Sequence, residues 1–352
     1  MSLSFALTHA EAAESQIVVL GLSQAERIRK KLLALGFKEN DSQPGLRIDA
    51  RQTYSSGFFQ FVKDAVLKSQ DALEFRAAGQ EIGVTWLDDK SQTLEVPDSL
   101  SFVFAKPGFA AKALFQEIFD NTQGWIARGL NKKISFPVTR LLVKTPITPN
   151  QITILNLIMG LFGCLLFLSP SWVWQVFGAF LIQLNSILDG CDGEVARLKV
   201  QSSEWGGWLD TMADDILNNV MLFCLVWGVY AQTGQLWFAQ AGLATLGASL
   251  GVTFFIYDFL IRNKTCNAAH FRLSWETETS TEGNERSKKS WFDLIKPILK
   301  RDFFIMVVFV FALLNIRQYL LFFFLPIWGA FFLYGASFVY ERFRKNNQTA
   351  RR

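Results

Sequence analysis

The chain has 352 residues, with 35 Lys and Arg against 31 Asp and Glu, for a net charge of +4. Half of the residues are hydrophobic, 34 are Phe and 11 are Trp, while 19% are charged, below the roughly 25% of ordinary globular chains. This excludes a disordered or collagen-like chain and a disulfide-rich secreted scaffold, and so mild a positive balance argues for no nucleic-acid partner.

Residues 1–110 read as a soluble α/β domain, because charges are interleaved with short apolar runs. Residues 17–20 are short enough for a buried strand. Gly21 turns the chain, and Ser23 caps a helix that runs to Leu35 and stops at Gly36. Residues 81–87, 93–96 and 100–104 read as further strands. Met1 to Ala13 lacks the basic start and long apolar stretch of a secretory signal.

Residues 111–150 join two regions of different composition. Residues 111–144 read as one or two helices, broken near Gly124, Gly129 or Pro137. Phe115, Ile118, Phe119, Trp125 and Ile126 form an apolar side, and Arg128, Lys132, Lys133, Arg140 and Lys144 are basic. The pattern suits a helix lying at a membrane surface or a plain linker helix. Residues 291–299 read as a second interfacial segment, interrupted by Pro297.

From residue 151 to 345 the chain is dominated by apolar runs at 152–168, 172–188, 216–231, 236–261, 303–314 and 319–340. A spanning helix needs about 20 mostly apolar residues, and neighbouring uncharged residues extend some of the shorter runs. The expected fold is therefore an α-helical integral membrane protein with six transmembrane helices plus an N-terminal soluble α/β domain. Basic residues concentrate in the loop after the fourth run and in the tail, residues 346–352 included. This predicts both termini and the adjoining polar motif on the cytoplasmic side. None of Cys164, Cys191, Cys224 and Cys266 is placed for a structural disulfide.

Carboxylates at a membrane are costly and mark function by default. Asp189 and Asp192 follow the second run, and Asp210 and Asp214 precede the third. Residues three or four apart share a helix face, so two packed helices would point four carboxylates into one cavity. Such a cluster needs cations, and its oxygen-only donors suit Mg²⁺, Mn²⁺ or Ca²⁺ rather than zinc. Between the pairs lie Gly193, Ala196, Arg197, Gly206 and Gly207. Small residues allow close approach, and an arginine can hold a phosphate. The combination is compatible with a diphosphate site in which two metals bridge phosphate oxygens.

The spacing is D-x2-D-G-x2-A-R-x8-G-x3-D-x3-D, with all eight fixed positions filled. It resembles the signature of the CDP-alcohol phosphotransferase (CDP-alcohol phosphatidyltransferase) family. Upstream, Thr148-Pro149-Asn150 and Thr153 look like the family's entry to its first span, although Thr148 as cap and Pro149 in the first turn would explain the same run as a helix start. The resemblance implies a homodimeric membrane transferase that moves a phosphoalcohol group from a CDP-alcohol to an acceptor alcohol and releases CMP. It implies Asp189, Asp192, Asp210 and Asp214 as ligands of Mg²⁺ or Mn²⁺ in a two-metal site, with Asp214 also the catalytic base. Gly193, Ala196, Arg197, Gly206, Pro149, Asn150 and Thr153 would line the CDP site. Asp215 is read as a supporting or solvated acid, and Asp258 as solvated.

Arg262, Lys264, His270 and Arg272 could receive a phosphate on the acceptor or serve only as positive-inside residues, and Lys132, Lys133 and Arg140 could meet anionic headgroups. Residues 17–37 resemble the first strand and helix of a nucleotidyltransferase, but only Gly21-Leu22-Ser23 stands where that fold carries a glycine-rich loop. An inactive remnant is therefore expected. The rival readings are a divalent-cation transporter, which needs no phosphate-binding arginine, and a membrane-anchored binding module, which leaves the aspartate spacing unexplained.

Overall fold

The computed structural model describes residues 4–8, 18–19, 22–40, 46–49, 54, 56–68, 73–77, 80–86, 92–96, 107–120, 122, 126–265 and 301–349. The described residues group into two compact units. One comprises Met1–Thr122, Phe136–Ile147 and Gly193–Gln201, the other Gln123–Ser135, Thr148–Asp192 and Ser202–Arg352.

The first unit is built on a six-stranded sheet in the order β4-β1-β5-β7-β6-β8. Its strands are β1 (Ser4–Thr8), β4 (Lys38–Glu39), β5 (Leu46–Asp49), β6 (Leu73–Ala77), β7 (Gln80–Trp86) and β8 (Gln92–Glu95). β1 pairs in parallel with β4 and β5, β7 runs antiparallel to β5 and β6, and β8 is parallel to β6. Helix α1 (Gln24–Ala34) is capped by Ser23, whose Oγ accepts from the Glu26 amide, as the sequence predicts. Ile28 and Leu32 of α1 join Phe58, Phe59 and Val62 of α2 (Ser56–Lys68) in a core with Phe5, Ile48, Phe75 and Trp86 of the sheet. Of the strand expected at 17–20, the described residues form β2 (Val18–Val19), which pairs with β3 (Leu22–Ser23) in a separate ribbon. The sheet strand preceding α1 is instead β1, whose apolar Phe5 is fully buried. The strand expected at 100–104, the glycine at 21 and the interfacial segment at 291–299 lie outside the described residues.

Helix α3 (Pro107–Asp120) is followed by a π-helical turn, Ala127–Asn131, and by α4 (Lys132–Leu142). Pro137 lies inside α4 without ending it. Phe115 is buried, meets the tilted ring of Phe136 with 4.9 Å between centroids, and carries the Arg140 guanidinium 5.0 Å from its ring centroid. At least this basic residue of the joining segment is thus engaged with an aromatic face.

The second unit is helical: α5 (Pro149–Leu165), α6 (Trp172–Leu198, whose last turns belong to the first unit), α7 (Glu204–Thr233), α8 (Leu236–Asn263), α9 (Arg301–Leu313) and α10 (Leu320–Thr349). The expectation of six spans is corrected here. Among the described residues only four segments are long and apolar enough to cross a membrane: Pro149–Leu168, Glu204–Thr233, Leu236–Asn263 and Arg317–Ser337. The second expected span fails because α6 carries Gln175, Gln183, Asn185 and Ser186, all buried, before its aspartates. The fifth falls short within the described residues, where its helix covers 13 residues, or roughly 20 Å at 1.5 Å per residue, against a hydrocarbon core of about 30 Å.

Close approach between helices fixes the arrangement around the aspartates. A Cβ on Gly178 would lie 2.5 Å from the Gly163 carbonyl oxygen, and one on Gly163 would lie 2.9 Å from that of Gly178. Backbones of α5 and α6 therefore touch where only glycine fits. Seven residues further along each helix, Asn156 and Asn185 exchange hydrogen bonds, each amide donating to the other's carbonyl at 3.1 and 2.8 Å. At another point Arg317 is buried and donates to the carbonyls of Phe167 and Gly228 at 2.8 and 3.2 Å.

Candidate metal centre

Three elements aim the site, and each does so by ordinary helix rules. Asn185, Asp189 and Asp192 recur at four and three residues along α6, so they form one stripe. Gly206, Asp210 and Asp214 recur every four residues along the first turns of α7. Ser203 starts that helix by accepting from the Gly206 amide at 3.0 Å. Thr148 starts α5 with a capping box, its Oγ1 accepting from the Gln151 amide while the Gln151 side chain accepts from the Thr148 amide. Pro149 occupies the first turn, so the helix-start reading of this run is what the backbone adopts.

Carboxylate oxygens of Asp189, Asp210 and Asp214 lie within 4.8 Å of one another. All three residues are part-buried. Three carboxylates this close repel unless cations intervene, and their oxygen-only donor set fits a hard divalent cation. Asp192 is not one of this group. It is buried, and its Oδ2 accepts a hydrogen bond from Thr153 Oγ1. Thr153 thus ties the start of α5 to the aspartate stripe of α6. Gly206 is brought beside Asn150: a Cβ there would lie 3.2 Å from Asn150 Oδ1 and 3.1 Å from Ser203 Oγ. The upstream run and the aspartate motif therefore meet in one place, although 39 residues separate Thr153 from Asp192.

Gly193, Ala196 and Arg197 lie on the last turns of α6 and belong to the first unit. A Cβ on Gly193 would lie 3.5 Å from Arg197 Nη2, so the guanidinium folds back along the helix beside the glycine. Within the same unit Thr139 Oγ1 donates to the fully buried Glu194, and Lys199 Nζ donates to the carbonyls of Thr145 and Ile147 at 2.6 and 3.0 Å. These contacts hold the last turns of α6 against the segment that precedes α5.

Arg301 is the residue that sequence reasoning missed. It counted only as one of many basic residues after the fourth apolar run. It is the first residue of α9, and its Nη1 donates to Asp189 Oδ2 at 3.2 Å and to Asp214 Oδ1. Its Nη2 donates to Asn185 Oδ1 at 3.3 Å. Burial disfavours its charge, but Asp189 and Asp214 outweigh that and hold its pKa above the ordinary arginine value. The guanidinium thus offsets part of the negative charge of the cluster. The available signal was position: Arg301 and Asp302 stand directly before an apolar helix. Asp215 Oδ2 is buried without a hydrogen-bond partner among the described residues, so this acid is not solvated. Asp258 pairs with Arg262 at the exposed end of α8. Of the expected acceptor cations, His270 and Arg272 lie outside the described residues.

A sequence profile of the CDP-alcohol phosphatidyltransferase family matches residues 146–339. Among curated proteins, the bifunctional IPC transferase and DIPP synthase of Aquifex aeolicus is 40% identical over 103 residues, 29% of this chain and 23% of that protein. The protein of the same description from Thermococcus kodakarensis is 29% identical over 216 residues, 58% of this chain and 46% of that protein. The phosphatidylinositol phosphate synthase of Cutibacterium acnes is 30% identical over 111 residues, 31% of this chain and 52% of that protein. The chain thus spans less than half the length of the first two relatives and about half that of the third.

Proposed function

The chain belongs to the CDP-alcohol phosphatidyltransferase family, and on that premise we propose that it transfers a phosphoalcohol group from a CDP-alcohol to an acceptor alcohol. The observation that carries the reading is the meeting of Asp189, Asp210 and Asp214 inside the family-matched region. In the proposed reaction the acceptor oxygen bonds to the phosphorus that bears the alcohol. The bond from that phosphorus to the CMP oxygen breaks, the acceptor's proton passes to Asp214, and CMP leaves. Mg²⁺ or Mn²⁺, held by Asp189, Asp210 and Asp214 with Asp192 beside them, would supply charge neutralisation at the phosphates. Asp192, fixed by Thr153, stays ready to ligate or to orient a ligand.

Arg197, lying along Gly193, offers a planar guanidinium to a phosphate of the CDP group, with Ala196 as the small neighbour that leaves it room. Pro149, Asn150, Thr153 and Gly206 are also assigned to CDP binding, with the glycine admitting the nucleotide closely. The reading includes residues 151–345 as the catalytic domain and 1–110 as a nucleotidyltransferase-like domain without activity of its own. It also includes a homodimer in the cell membrane with both termini and the site facing the cytoplasm. The long apolar helices place the protein in association with a membrane. The names of the relatives favour a product or substrate of the phosphatidylinositol phosphate kind, with Arg262 and Lys264 available to an acceptor phosphate.

The test is a matrix of CDP-alcohols against acceptor alcohols, read by CMP release from the purified protein in detergent with Mg²⁺. Release that needs one CDP-alcohol and one acceptor together supports the reading. No release with any pair, while Mg²⁺ crosses proteoliposome membranes, would favour the transporter.

A further inference from the structure

Two consecutive residues of α9 grip α6 at adjacent points. Asp302 accepts from Ser186 Oγ at 3.1 Å, and Arg301 reaches Asn185 Oδ1 at 3.3 Å and Asp189 Oδ2 at 3.2 Å. The helix start is thereby pinned, and the guanidinium is carried into the acidic cluster, where it also donates to Asp214 Oδ1. Its Nε is buried without a hydrogen-bond partner among the described residues. Arg301 therefore gives up one donor to remain against these carboxylates, since a buried unpaired donor is costly.

The oxygens it engages belong to two of the three carboxylates assigned above to a metal. A divalent ion bound to Asp189 and Asp214 would compete with Nη1 for the negative charge of these two carboxylates. Two cations a few ångströms apart in a partly buried site repel strongly. Pairing with Arg301 and coordination of a metal by both carboxylates therefore oppose one another through charge. We propose that Arg301 is a built-in counter-ion of the acidic centre, displaced when a divalent ion binds, and that it thereby sets the metal affinity. This rests on the reading of the cluster as a metal site. By linkage, whatever the pairing contributes to holding the carboxylates together is subtracted from metal binding. Arg301 is a positioning residue in this role, because it acts through the carboxylates.

Mn²⁺ titration of the full chain in detergent, followed by the loss of the free-ion electron paramagnetic resonance signal, tests this. R301Q should bind Mn²⁺ more tightly than wild type, on the order of tenfold. R301K should fall between them, because an ammonium keeps the charge but lacks the fork that bridges two carboxylates. D210N should lose affinity in each background. Equal or weaker binding by R301Q overturns the counter-ion role and leaves the metal site standing. Absence of Mn²⁺ binding from wild type and both Arg301 variants overturns the metal site itself. If the variants do not fold, dicarbonyl footprinting of wild type read by mass spectrometry decides: Arg301 should become more reactive as Mn²⁺ is added, and unchanged or reduced reactivity contradicts the proposal.

Discussion

Both units bury an apolar core, but they differ in what they turn outward and in how many polar side chains their helices bury. In the first, Phe5, Phe58, Phe59 and Phe75 are at most 2% exposed and make the core. In the second, Phe162, Trp174, Phe180 and Phe254 face outward, while Asn185, Gln175, Gln183 and Arg317 are buried. Water is the outer solvent that orders the first arrangement. An apolar outer medium orders the second, in which side chains and backbone must satisfy their polar groups internally. The same residue type therefore carries different information in each unit. Buried polar side chains gather in the aspartate-bearing helices, and the proposed chemistry sits among them.

The contrast can be broken most forcefully through metal. Stripping divalent ions with a chelator should abolish CMP release, and Mg²⁺ or Mn²⁺ should restore it. Hydrogen exchange in the first unit should be unchanged throughout. A parallel loss of protection in the sheet would show that the ion acts on the whole fold and not on the acidic cluster alone.

Next in size is the meaning of phenylalanine. Phe75→Ala should destabilise the first unit by about 3–5 kcal/mol, read as increased exchange of peptides from the sheet. Phe254 is 68% exposed, so Phe254→Ala in detergent should stay within about 0.5 kcal/mol. Comparable losses from both would contradict the contrast between a buried and an outward-facing phenylalanine.

Gly178→Val should separate α5 from α6 and cost about 1–3 kcal/mol through overpacking, lowering protection in the second unit only. The smallest effect concerns helix starts. Ser23→Ala and Thr148→Ala should each cost about 1 kcal/mol, and each should loosen only the first turn of its own helix in exchange measurements.

How much of this was legible in sequence depends on the range of the interaction. The α1 cap at Ser23 and the pairing of Asp210 with Asp214 are local, three or four residues apart, and helix periodicity exposes both. The meeting of Asp189 with Asp210 and Asp214 followed from the spacing once two helices were assumed to pack. Arg301 was illegible because it lies 112 residues from Asp189, and in composition it looks like any positive-inside residue. Asp192 shares the α6 stripe, yet Thr153 engages it, a contact that no local pattern announces. The count of spans failed for a related reason. Hydropathy treats Gln183 and Asn185 as interruptions or ignores them. In the fold they are the buried polar side of a helix that is too polar to count as a span by length and composition.

The central claim is that the clustered aspartates perform phosphoalcohol transfer rather than merely bind a cation. It is tested most directly by measuring CDP-alcohol binding and CMP release together for wild type and Asp214→Asn. The account predicts binding within a few-fold of wild type and release reduced by about 10²–10⁴-fold, the range expected for a lost general base. CMP release at the wild-type rate by the variant would contradict it.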